Sequence, residues 1–101
     1  MLDPDAPSRW EPTHAPFLHW LVYNIRRSHP STSGDAAASY MPPTPPLGTG
    51  LHRYVVLVLE QTKGKIVVPE AAERSSFELP RLVRDYHLQI LGGTLFFSQS
   101  L

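Results

Sequence analysis

The chain has 101 residues, enough for one small domain that buries only about two-thirds of its unfolded surface. Its 42% apolar and 18% charged residues exclude a disordered composition, and nine basic residues against nine acidic ones exclude a global field toward nucleic acid or an anionic membrane. The absence of cysteine excludes a disulfide framework and thiolate chemistry and fits a reducing, cytoplasmic setting.

In chain order, "DPDAPSR" at 3–9 is a rigid acidic and proline-containing loop that requires strands on either side to hold it. "FLHWLVYNI", Phe17 to Ile25, is dense in aromatic and β-branched residues with almost no alternation, and predicts one central strand buried on both faces. Residues 26–39 carry no period and are rich in Ser, Pro, Gly and Ala, which predicts a long surface loop. In "YMPPTPPLGTG", four prolines preset φ and Gly48 and Gly50 allow the positive φ of a tight turn.

"LHRYVVLVLEQ" at 51–61 is the strongest strand signal, closed by the turn "KGK" at 63–65, and Ile66 to Val68 adds a short strand. A helix is predicted from 80 to 87, with Pro80 at its first position, Leu79 as a poor N-cap, and Leu82, Val83 and Tyr86 on one face. "ILGGTLFF" reads as a turn into a short final strand. The longest strongly apolar run, Tyr54 to Leu59, is far short of a bilayer span, and the first thirty residues hold no signal-peptide core.

Three blocks, "DPDAPSR" at 3–9, "LHWLVYNI" at 18–25 and "PPLGTGLHRYVVLVLEQ" at 45–61, together resemble the phosphatidylethanolamine-binding protein family, which includes Raf kinase inhibitor proteins and plant flowering-time regulators. "SSFELPRLVRDYHL" followed by "GGT" extends the likeness over nearly the whole chain. The resemblance implies a mainly β fold, a partial β-sandwich with one short late helix, in a single shortened domain over 1–101. Strands that relatives carry before the Asp-Pro-Asp-Ala-Pro loop, and their C-terminal helix, are not in this sequence. Unpaired sheet edges and exposed core are therefore expected to make the isolated chain marginal in stability or prone to associate.

Matched position by position, the family's surface cavity for an anionic head group implicates Asp3, Pro7, Phe17, His19, Pro46, His52 and Tyr54. Histidines donate to phosphate oxygens and supply local positive charge when protonated, and the amides of the "GTG" turn are candidates for an anion nest. Asp3 would orient and charge a histidine. Asp5 would be structural, accepting loop amides or pairing with Arg9 or Arg53, and both aspartates also suit the plainer role of turn formers. Tyr54 is expected to turn its hydroxyl to the pocket rim, with Phe17, Pro45 and Pro46 as apolar walls. Relatives carry an unusual cis peptide where this chain has Pro16, so a cis Ala15–Pro16 bond is expected, at a cost of only about 0.5–1 kcal/mol, together with cis Ala6–Pro7.

The resulting expectation is a non-enzymatic module that binds an anionic phospholipid head group or a phosphorylated ligand and regulates a kinase, a protease or a signalling complex. Two other readings stay open: a shortened paralogue acting through protein contacts alone or inactive, and a metal-dependent hydrolase using Asp3, Asp5, His19 and His52. No metal-ligand spacing such as HExxH supports the last, and no cofactor, direct nucleic-acid contact or transmembrane segment is expected.

Overall fold

The computed structural model describes residues 1–30 and 32–101. Its backbone is the strand β5 (His52–Gln61), whose Tyr, Val and Leu residues suit a pleated, half-buried surface. β5 pairs antiparallel along its full length with β6 (Leu88–Ser98), from His52 opposite Ser98 to Gln61 opposite Leu88, with a bulge between Val58 and Leu59. On its other side β5 meets β1 (Leu2–Asp3), which in turn pairs with β2 (Phe17–Leu18). The sheet order is β2-β1-β5-β6, and a second, two-stranded sheet joins β3 (Leu21–Tyr23) to β4 (Asp35–Ala38). The chain is thus mainly β with one helix, α1 (Leu79–Asp85).

Four expectations are corrected. Phe17 to Ile25 is not one central strand: β2 ends at Leu18 and β3 starts at Leu21, in the other sheet, and Trp20 and Ile25 are exposed. The crossing is held by backbone bonds from His19 and Trp20 to the Met1 carbonyl, and by the Arg74 guanidinium, which donates to the carbonyls of Leu18, His19 and Ser39. Those contacts satisfy polar groups that leave one ladder before entering the next. The 26–39 segment is not all surface loop, because it ends in β4, whose Ala37 and Ala38 are buried where only a small side chain fits between the layers. Ser31 in that segment lies outside the described residues.

Ile66 to Val68 forms no strand. The amide and carbonyl of Ile66 are both taken by the Asn24 side chain, which also accepts from Gln61. The final strand is not short: β6 runs eleven residues straight through Gly92 and Gly93. Helix α1 starts one residue earlier than predicted, with Glu78 at the N-cap and no capping side chain, so the uncapped start is retained with Pro80 in its first turn. It ends before His87, whose φ of 52° is left-handed. Leu79, Leu82, Val83 and Tyr86 form its half-buried face. Ala6–Pro7 and Ala15–Pro16 are both cis, as expected.

The fully buried apolar set is small: Ala6, Leu18, Ala37, Ala38 and Tyr54. Asp3, Asp5, His19 and His52 are buried beside it, so the densest part of the molecule is polar. The β5–β6 ribbon projects from this centre, and the radius of gyration is 14.2 Å, against about 13 Å for a compact chain of this length.

Gly93 is required by close approach, since a Cβ there would lie 2.6 Å from the Val56 carbonyl oxygen and 2.8 Å from Leu57 Cδ2. At Gly92 the same atom would meet open space. Gly93→Ala is therefore expected to destabilise the fold by about 1–3 kcal/mol, whereas Gly92→Ala stays within about 0.5 kcal/mol. Urea denaturation of the two variants checks the contrast.

Candidate functional site

Two buried carboxylates organise the site. Asp3, at the end of β1, is 3% exposed and accepts the amide of Asp5 at 2.7 Å with one oxygen and the ring Nδ1–H of His52 at 2.7 Å with the other. Asp5 is 2% exposed and receives the amide of Arg53 at 2.7 Å and its guanidinium at 2.8 and 3.0 Å. Consecutive residues on a strand point to opposite faces, so His52 and Arg53 bind the two carboxylates from either side of β5. The side-chain hydrogen bonds of Arg53 hold the Asp5 carboxyl below its ordinary range, against the opposing effect of burial.

His52 is wholly buried and both ring nitrogens are engaged, Nδ1 with Asp3 and Nε2 with Thr49 Oγ1 at 2.8 Å. Thr49 Oγ1 also lies 2.6 Å from the Pro46 carbonyl. The hydroxyl has a single hydrogen, which goes to the carbonyl when the ring is imidazolium and to Nε2 when the ring is neutral. Thr49 sits between Gly48 and Gly50, whose φ angles of 82° and 77° shape the turn. The turn thus braces His52 from behind. Gly48 and Gly50 do not line the cavity, which corrects the expected amide nest.

His19 presents the other imidazole. Its Nδ1–H donates to the Met41 carbonyl at 2.9 Å, which leaves Nε2 without a protein partner among the described residues. Among these residues no buried side-chain nitrogen or oxygen is orphaned, so Nε2 opens to the cavity. The ring packs edge-on against Phe17 at 5.1 Å and Tyr54 at 5.2 Å. Tyr54 stacks at 5.3 Å on Phe96 of β6. It lies in the floor rather than at the rim as predicted, being buried, and that burial followed by the negative charge of Asp3 pushes its phenol far above the usual range.

All seven residues predicted for the site, Asp3, Pro7, Phe17, His19, Pro46, His52 and Tyr54, line one cavity of about 370 Å³. Phe17 and Pro7 form apolar wall, Pro46 stands exposed at the mouth, and Asp3, His52 and Tyr54 make the floor. Sequence reasoning missed Thr49, the brace of His52, and also Met41, His14 and Ser75 on the wall. Only Thr49, three residues before His52 and flanked by glycines, carried a local signal. Among the described residues no group of His, Cys, Asp or Glu side chains is placed to hold a metal ion, and no helix is long and apolar enough to cross a membrane.

The scaffold is a mainly β domain with a small cavity floored by a carboxylate–imidazole pair. The family model described as phosphatidylethanolamine-binding protein matches residues 1–89, and the chain belongs to that family. It is 31% identical over 98 residues to the protein TERMINAL FLOWER 1 of Arabidopsis thaliana, covering 97% of this chain and 54% of that one. The fold is similar to a phosphatidylethanolamine-binding protein from Plasmodium vivax, with TM-score 0.80, 24% identity, and coverage of 99% of this chain and 61% of the other. It is also similar to a carboxypeptidase Y inhibitor solved in complex with its cognate proteinase, with TM-score 0.77, 22% identity, and coverage of 99% and 57%. The chain spans about half the length of the curated relatives it matches.

Because the folded-state pKa of Asp5 is depressed, its contribution to stability is present above the ordinary carboxylate range and disappears as pH falls through the lower folded value. Asp5→Asn is expected to lower stability at neutral pH by about 1–3 kcal/mol and to flatten part of the loss on acidification. Urea melts of both proteins from neutral pH to pH about 3 measure this, the ordinary carboxylate range lying near 4. Parallel stability–pH curves would contradict it.

Proposed function

We propose that this chain is a non-enzymatic regulatory binding module whose cavity takes a phosphate-bearing anion, such as a phosphoethanolamine head group, in a cytoplasmic setting. The observation that carries the reading is His19 Nε2, a ring nitrogen free of protein partners among the described residues and open to a cavity that His52 also lines. Since Nδ1–H is committed to the Met41 carbonyl, Nε2 can donate to a phosphate oxygen only from the imidazolium. His52 stands behind it, held in place by Asp3 and Thr49. Family membership and the proteinase-bound inhibitor of the same fold support a regulatory role exerted on a protein partner.

An amide NMR titration with phosphoethanolamine is expected to give saturable shifts at His19, His52 and Phe17. Sulfate is expected to compete for the same shifts. His19→Gln should weaken binding about 10-fold, equivalent to one lost charge-assisted hydrogen bond. Unchanged shifts and affinity in that variant would contradict the anion reading.

A further inference from the structure

The strand β6 is the outer member of its sheet, and among the described residues nothing pairs with its free edge. Eleven residues present roughly 37 Å of alternating unpaired N–H and C=O groups. Proteins normally blunt such an edge with lysine, proline, brevity or a covering segment. Among the described residues its one defence is the bulge at Leu91: from Leu88 to Leu101 there is no Lys, Arg, Asp, Glu or Pro.

The side chains point the same way. Leu91, Leu95 and Phe97 are 60%, 51% and 55% exposed, and Ile90 and Phe96 are exposed as well. Leu95 and Phe97 stand on the face opposite to Phe96, so both faces of the ribbon are apolar. Edge pairing would extend both apolar faces into a second copy, so that side chains at the seam on either face pack across it.

We propose that β6 pairs antiparallel with β6 of a second copy, giving a two-fold dimer with one continuous eight-stranded sheet. A second copy fits for three reasons. The strand carries no charge, so placing it against itself sets no like charges opposite each other, and the chain's formal net charge of zero adds no long-range repulsion. An axis near Gly93 sets Leu95 of one copy beside Leu91, the bulge residue, of the other. The contact uses the same edge on both copies and therefore closes. The opposite edge, β2, has only two residues, one with its amide and carbonyl both bonded to Arg74, and cannot propagate an open assembly.

Sedimentation velocity and light scattering over a concentration series test this on the 101-residue chain. The expected mass is twice 11.3 kDa, with β6 amides protected from exchange in the dimer. Leu91→Lys combined with Leu95→Lys should raise the dimer dissociation constant at least 100-fold, with far-UV circular dichroism unchanged. Thr94→Lys, a single exposed position, gives an independent reading of the same edge, and Gln99→Lys beyond the strand should leave the dimer intact. A monomer at every concentration, a dimer that survives both edge variants, or open-ended oligomers would overturn the proposal. So would β6 amides that become protected only when a longer chain with further strands is added, which would assign the edge to that occupant.

Discussion

Asp3 and Asp5 bury two carboxylates within one short loop, and the energetic penalty of doing so dictates where β5 must lie. An unpaired buried charge is costly enough that the fold has to deliver partners with good geometry. It delivers them from adjacent residues of a single strand, His52 on one face and Arg53 on the other. Removing either partner strands a charge, so the loop and the strand hold their register together. Among the described residues the apolar core is too small to fix that register alone, three of its buried members being alanine.

The same constraint creates the cavity. With His52 tied to Asp3 in front and to Thr49 behind, its ring cannot rotate, and Tyr54 two residues on falls on the same face, wedged between His19 and Phe96. The imidazole left with an open nitrogen, His19, sits at the crossing between the two sheets, where its backbone is held by Met1, Met41 and Arg74. The pocket floor is polar, within largely apolar walls, because the clamp is polar, and the His19 ring lines the cavity because the crossing places that residue there. The contacts that stabilise this end of the molecule are thus also those that shape its cavity. At the other end the β5–β6 ribbon carries apolar surface that the clamp does nothing to cover.

Residues 51–61 announced their strand because β-branched and aromatic side chains fill it and a glycine turn ends it. Pro80 marked the helix to within a residue of its start. The seven pocket residues were legible from motif order and then found around one cavity, although lining a cavity is not the same as binding a ligand. What was not legible depended on tertiary contacts. The break at His19–Trp20 is set by Met1 and by Arg74, 54 or more positions away, and no local breaker marks it. β4 is alanine-rich and weak by propensity, and it forms because Leu21, Val22 and Tyr23 lie alongside it. Gly92-Gly93 looked like a turn, yet Gly93 is there to let β6 pass close to Val56 and Leu57.

The claim on which this account rests is that the Asp3–His52 contact is a strong, specific link between the first loop and β5. A double-mutant cycle on Asp3→Asn and His52→Gln, read by urea denaturation, measures it directly. The account predicts a coupling of about 1–3 kcal/mol, the range of a buried hydrogen bond to a charged group. Additivity of the two substitutions to within about 0.5 kcal/mol would contradict it.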